Sequence, residues 1–473
     1  MQPHHLSQFV NQFWGNKILP TFSEFVRIPC KSPLFDAHWE TNGHLEAAAH
    51  TLAEWAMAQN IPGLTTKIFK TKKRTPLLYV EIPGVTPHTV LCYGHLDKMP
   101  EAEGWHKGFG PWKPVIKNSR LYGRGTADDG YAFFSIIAAI KYLHQAKIPY
   151  SKCIILFEAC EETDSRDLPY YLEHVKNRIG TVDIVLCLDT GSHDYHNLWC
   201  TTSLRGIIEG TLKVHILKAP VHSGVISGII ASTFRVIRRV LSHIEDAHTG
   251  EILLSSCYTK IPQEYKQQAR AIAKILGKKI YSEFPLLGKT VKPITHRKDE
   301  LLLNRSWRPT LSIIGAEGLP HIQDAGSVLR PLTALQLSLR IPPYCHPEKI
   351  TRDLKKALET NPPYGATVHF QPHVSMAGWA MPKMETWLKH TLKGAAQMFF
   401  GSDPLYLGEG GSIGVIPLLQ KAFPHAQFIL TGASGPQSNE HGANESLYLP
   451  MAKKITCCTA YIFAKQCEHR KGS

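Results

Sequence analysis

The order of apolar segments along this 473-residue chain predicts an α/β protein, with a mostly parallel sheet sandwiched by helices and an inserted, smaller two-layer α/β lid. Three observations lead there. Four short, continuously apolar runs, Thr89 to Tyr93, Cys153 to Phe157, Val182 to Leu188 and Ala426 to Leu430, suit strands buried on both faces, as in a parallel sheet. The stretch Tyr131 to Leu143 is apolar over the length of a helix and follows a glycine-rich turn, Leu121 to Gly130. Between the third and fourth runs lies a long segment with its own alternation of strands and helices, which makes it an insertion.

Each strand candidate runs straight into residues that hold cations. The first leads to His95 and Asp97, the second to Glu158, Glu161 and Glu162, the third to Asp189, and the fourth to a polar loop with His441. The glycine-rich turn carries Asp128 just before its helix. In parallel sheets, ligands gather beyond the carboxyl ends of the strands, so His95, Asp128, Glu162, Asp189 and His441 are expected to converge. A metal-binding imidazole needs its second ring nitrogen held by an acceptor, and Asp97 or a close neighbour suits that task. Mixed nitrogen and oxygen donors favour zinc or a similar divalent metal. Five ligands exceed one tetrahedral zinc but suffice for two metals sharing a carboxylate. The charges also balance: three carboxylates and a bridging hydroxide neutralise two Zn²⁺.

The inserted segment reads in order as a strand from Ile207 to Ile216, a helix from Ser227 to Ile244, and a basic, irregular region from Thr259 to Arg308. Strands at Thr310 to Ile314 and Leu332 to Ile341, a helix from Pro347 to Glu359 and a strand from Ala366 to Pro372 complete it. The chain must then return so that His441 can meet the other ligands. The expected division is 1–206 and 379–473 for the first domain and 207–378 for the lid.

The motifs, in order, are Gly94-His95-Leu96-Asp97, Tyr122-Gly123-Arg124-Gly125 with Asp128, Glu161-Glu162, Asp189, His222-Ser223-Gly224 and His441. In these the chain resembles, over nearly its whole length, the dinuclear zinc exopeptidases and deacylases that include carnosinase, bacterial dipeptidases, acetylornithine deacetylase and succinyl-diaminopimelate desuccinylase. The resemblance implies that Asp128 bridges two metals, that His95 and Asp189 complete one and Glu162 and His441 the other, and that Asp97 orients His95. It implies zinc, with manganese or cobalt as alternatives, and a homodimer formed through the lid. It also implies that His222 supplies an oxyanion donor from the second domain, and that Arg340, Gly411 and Ser412 bind a substrate carboxylate. Two departures leave the subfamily open. The chain reads Asp128-Asp129-Gly130-Tyr131 where Asp-x-Lys-Gly is commonest, and Thr190-Gly191 follows Asp189.

The chemistry asks for an activated water. Zinc lowers the pKa of bound water from about 15.7 to roughly 7, and a general base must take its proton and return it to the leaving amine. Glu161, next to a ligand on a turn, is the candidate, and the resemblance gives the matching residue that role. Exopeptidase action on dipeptides or short peptides is the leading expectation, and N-acyl-amino-acid deacylase is the alternative. Other residues read as structural: Glu158 as a strand residue, Asp129 as an acid at a helix N-terminus, and His4, His5, His193, His196, His321 and His425 as ordinary histidines.

A net charge of +14 raises a more remote alternative, a non-catalytic basic binding protein. The clusters Lys67 to Arg74 and Lys274 to Lys279 with Lys289 and Lys292 are not interleaved with stacking aromatics, so they read as solvated faces and no nucleic-acid partner is expected. With no apolar run of spanning length, no membrane association is expected either. The opening segment Met1 to Trp14 lacks a leader pattern, and the 11 cysteines, odd in number and without a CxxC pair, read as reduced thiols, so a cytoplasmic location is expected. In that setting Asn444-Glu445-Ser446 is a glycosylation pattern without meaning.

Overall fold

The computed structural model describes residues 1–288 and 290–471; Lys289 of the second basic cluster lies outside the described residues. The chain forms two compact units. The first comprises Met1–Thr202, Met381–Tyr406 and the segment from Val415 onward, and the second comprises Ser203–Ala380 with Leu407–Gly414.

The first unit is built on a six-stranded sheet of β1 (Thr65–Phe69), β2 (Leu77–Ile82), β3 (Thr89–His95), β4 (Lys152–Glu158), β5 (Val182–Cys187) and β6 (Gln427–Leu430), in the order β1-β2-β4-β3-β5-β6. The pairs β4/β3, β3/β5 and β5/β6 are parallel, and β2 runs antiparallel to both β1 and β4. Every residue of β3, β5 and β6 is buried. This explains why those strands read as largely apolar runs, since both faces are covered; the exception within β5, Asp183, is buried but paired with Gln466 at 2.7 Å and Arg470 at 2.5 Å. The helix Tyr131–Gln145 is buried almost all round; Phe133 meets Phe157 of β4 at 5.3 Å between ring centroids. Each such fully buried ring contributes roughly 1.5–3 kcal/mol. The long helix Leu449–Lys471 packs along it.

The second unit holds a four-stranded antiparallel sheet in the order Thr310–Glu317, Leu332–Ile341, Gly206–His215, Thr367–Met376. The helices Thr233–Leu241 and Pro347–Glu359 cover it, burying Val236, Ile237 and Val240 from one and Ile350, Leu354 and Leu358 from the other. The latter three recur at helical spacing.

Three sequence expectations need correction here. The helix expected from Ser227 begins only at Thr233, where the Ser232 hydroxyl accepts the Arg235 N–H at 3.2 Å; upstream, Gly228 turns the chain at φ +89°. The supposedly irregular region Thr259 to Arg308 contains helices Gln263–Leu276 and Lys298–Trp307. Tyr265, Ala269, Ile272 and Leu276 form one buried stripe, with Tyr265 against the Trp307 ring at 4.4 Å; the glutamines, lysines and arginine at the other positions mask this pattern. Finally, Leu407–Gly414, expected in the first domain, belongs to the second unit, where Arg205 binds the Gly410 carbonyl at 3.1 Å.

Candidate metal centre

Because β3, β4, β5 and β6 run parallel, their carboxyl ends share one edge of the sheet, and that edge carries the acids and imidazoles. His95 is the last residue of β3, in register with Glu158 at the end of β4. Asp189 follows β5 and bridges to Gly432 beyond β6, on the path to His441. Asp128 sits in the turn Thr126–Gly130 that leads into the helix Tyr131–Gln145. Close approach needs glycine at 94, since a Cβ there would lie 2.3 Å from the Phe157 ring and 2.5 Å from Asp129 Oδ2.

The two oxygens of Asp128 face two different histidines. Oδ1 lies 3.0 Å from His95 Nε2, and Oδ2 lies 2.9 Å from His441 Nε2. Asp189 Oδ2 is 3.6 Å from the same His95 nitrogen, and Glu162 Oε2 is 3.2 Å from the same His441 nitrogen. Two triads result, His95/Asp128/Asp189 and Asp128/Glu162/His441, each with its donor atoms within 4.8 Å of one another. The five residues expected from the sequence to converge do so, with Asp128 common to both groups.

The electrostatics suit bound cations. Burial opposes the charge of Asp128, but hydrogen bonds with His441 and His95 hold its carboxyl well below the usual range. Burial first, with neighbouring carboxylates adding to it, pushes Glu161 and Asp189 well above their ordinary values and Glu162 up to about 7. Burial pushes the imidazoles down, yet their hydrogen bonds to carboxylates outweigh it, so His95 is raised well above its ordinary value and His441 up to about 11. The cluster therefore takes up protons to relieve its own repulsion. Divalent ions relieve such repulsion by displacing those protons, and the donor set of two imidazoles and three carboxylates fits a pair of them.

The supporting residues refine the sequence reading. His95 Nδ1 lies 3.1 Å from the main-chain carbonyl of Asp97 and 3.5 Å from its carboxylate. The Asp97 carboxylate also accepts the N–H groups of Glu161 and Glu162, both at 3.1 Å. One buried acid thus braces the histidine and fixes the turn bearing Glu161 and Glu162. Glu161, half-buried on that turn, has Asp128, Glu162 and His95 among the charges acting on it. Asp129 is not merely a helix-end acid: it is buried beneath Gly94. Glu158 is buried and accepts the Tyr93 hydroxyl at 2.6 Å.

Sequence reasoning missed Glu445. Fully buried, it pairs with Arg124 at 2.8 Å and accepts the N–H groups of Ala127 at 3.1 Å and Asp128 at 3.4 Å. Arg124 in turn donates to the His441 carbonyl at 3.3 Å. This pair ties the Asp128 turn to the His441 loop. The available signal was Arg124 in a glycine-rich turn next to Asp128, because a buried guanidinium left without a carboxylate is costly.

The remaining site residues lie in the second unit. His222 is exposed on the short strand Val221–His222, and its Nδ1 accepts the Gly224 N–H at 3.1 Å. Arg340 donates to the Ser412 hydroxyl at 2.9 Å, and Ser412 donates to the Arg205 carbonyl at 2.6 Å. A Cβ on Gly411 would meet open space. On Gly410 it would lie 2.9 Å from the Arg305 side chain and 3.3 Å from that of Arg205, so the sterically required glycine of this loop is Gly410.

The sequence model of peptidase family M20/M25/M40 matches residues 91–463. The cysteinylglycine-S-conjugate dipeptidase of Corynebacterium striatum is 26% identical over 377 residues, which is 78% of this chain and 79% of that protein. Human Beta-Ala-His dipeptidase is 25% identical over 401 residues, 79% of this chain and 74% of that protein. The solved structure of the di-peptidase Dug1p from Saccharomyces cerevisiae shares the fold, with a TM-score of 0.78 over 98% of both chains at 22% identity.

Proposed function

The chain belongs to peptidase family M20/M25/M40 and is a metallopeptidase; on that premise we propose that it is an exopeptidase cleaving the amide bond of dipeptides or short peptides with a free carboxylate. The observation that carries this reading is Asp128, whose two oxygens each face the histidine of a separate donor group. His95, Asp128 and Asp189 would hold one divalent ion and Asp128, Glu162 and His441 the other, with zinc the first choice and manganese or cobalt as alternatives. When bound, such ions acidify water and polarise the scissile carbonyl.

The chain's own residues supply the rest. Glu161 takes the proton of the attacking water and returns it to the departing amine. Asp97 keeps His95 and the Glu161 turn in place. His222, with Nδ1 accepting from Gly224, carries its proton on Nε2 when neutral, and that N–H donates to the developing oxyanion. Arg340 and the open main chain at Gly411 bind the substrate carboxylate, and Ser412, which accepts from Arg340, holds that guanidinium in place.

The protein would act as a homodimer through the second unit, whose edge strand Thr310–Glu317 exposes Ile313 and Ile314. Buried, unpaired thiols at all described cysteines support a cytoplasmic setting. Among the described residues no helix is long and apolar enough to cross a membrane. The test is hydrolysis of a panel of dipeptides, N-acetyl amino acids and N-succinyl amino acids by zinc- or manganese-loaded protein. Dipeptides should be cleaved best; activity confined to the acylated amino acids would make the protein a deacylase instead.

A further inference from the structure

Arg205 directly precedes the strand Gly206–His215 of the second unit, 8% exposed, and its hydrogen bonds hold together the loop read above as a carboxylate cradle. Nε donates to the Gly410 carbonyl at 3.1 Å; NH1 donates to Thr310 Oγ1 at 2.8 Å and reaches the carbonyls of Arg308 at 3.3 Å and Asn304 at 3.5 Å. Its own carbonyl accepts the Ser412 hydroxyl. That commits the Ser412 proton and turns an oxygen lone pair toward Arg340, which donates to it. Position and charge here come from one side chain.

Among the described residues, every hydrogen-bond acceptor of the Arg205 guanidinium is neutral. Burial, then the nearby charges of Arg340 and Arg305, pull it down to about 9, and burial lowers Arg340 as well. Arg305 has Glu409 at 3.6 Å, but Arg205 has only dipoles. A buried cation compensated by dipoles alone is costly to maintain. It stabilises an anion brought nearby, because the field is already in place and little reorganisation is needed when the anion arrives.

We infer that Arg205 is a positioning residue for substrate recognition: it fixes the Gly410–Ser412 loop and lends a second positive charge to the Arg340 cradle, so that the enzyme selects peptides ending in a free carboxylate over their neutral counterparts. This rests on the reading of Arg340 and the Gly411 main chain as the carboxylate site. It adds that charge selectivity comes from two guanidinium groups, of which only Arg340 touches the substrate.

The test compares a dipeptide with its C-terminal amide as substrates of the zinc-loaded enzyme, in wild type, Arg205→Met and Arg205→Lys. Wild type should favour the free acid. Arg205→Met should raise KM for the acid roughly tenfold more than KM for the amide, equivalent to about 1.4 kcal/mol, with kcat nearly unchanged; Arg205→Lys should restore most of the preference by restoring the charge. Should Arg205→Met lack a cooperative thermal transition, Arg205→Gln, which is neutral but keeps N–H donors for the loop, is measured in its place. A neutral variant that keeps the wild-type preference, or that raises both KM values alike, overturns the inference. A wild type that cleaves acid and amide equally well defeats the carboxylate reading of Arg340 instead, so the two failures are distinct.

Discussion

Replacing Glu445 by Gln tests how the metal-ligand framework is held. The substitution keeps the size of the side chain and one oxygen acceptor for Ala127 and Asp128, but removes the charge facing Arg124. Both partners of this pair are 1% exposed or less, so solvent screens little. Burial pushes the Glu445 carboxyl above its ordinary value even with Arg124 beside it; attraction within the pair does not fully offset the loss of hydration. Removing one partner is a different matter, because it strands the other charge, typically at a cost of about 3–5 kcal/mol. We therefore expect Glu445→Gln to lose about that much stability in urea denaturation. Since the pair links the Asp128 turn to the His441 carbonyl, zinc affinity should also fall by roughly 10–100-fold, the range for residues that orient ligands from behind. Removing both charges with Arg124→Met/Glu445→Leu should recover much of the stability but not the zinc affinity. A Glu445→Gln protein with wild-type stability and zinc affinity would refute this reasoning.

Four further outcomes follow. Glu161→Gln should bind metal with near-normal affinity in calorimetry while turnover falls by at least about 100-fold, the lower end for loss of a general base; a near-normal rate would remove Glu161 from the reaction. His222→Ala should lower kcat by about 100-fold, as for an oxyanion donor, with its melting temperature unchanged, and a wild-type rate would make it an ordinary surface residue. Glu158 is raised to about 7, first by burial, so folded protein binds its proton more tightly than unfolded chain; stability should fall as pH rises from the ordinary value of 4.5 to about 7 and level off above. Glu158→Gln should remove that slope and be more stable than wild type at pH 8 by on the order of 3 kcal/mol, and urea curves across this range that run parallel for the two proteins would contradict it. Ile314→Lys on the exposed edge strand should shift the protein toward monomer in sedimentation, and an unchanged dimer would place the interface elsewhere.

The site was legible because ligands sit where buried strands end. Two-face burial makes β3, β5 and β6 largely apolar, so the polar residues at their carboxyl ends stand out, as His95 and Asp189 do. Asp128 was visible for a related reason, an acid between glycines just before a largely apolar helix. Glu445 was not legible, since its partner Arg124 is 321 residues away and its own surroundings read as a polar loop. The helices between Gln263 and Trp307 were hidden because their buried stripes are narrow and most of their other positions carry amide or charged side chains. Likewise, Leu407–Gly414 goes with the second unit, where hydrogen bonds between it and Arg205 are ones that no local pattern encodes. Apolar periodicity reports burial, whereas long-range pairing of single polar residues emerges only in the folded chain.

The account stands on Asp128 serving two cations at once. The most direct measurement is calorimetric titration of metal-free protein with zinc, checked by elemental analysis of the loaded enzyme. Two ions per chain are expected for wild type, with both strongly weakened in Asp128→Ala; one ion or none in the wild-type protein would contradict the dinuclear centre.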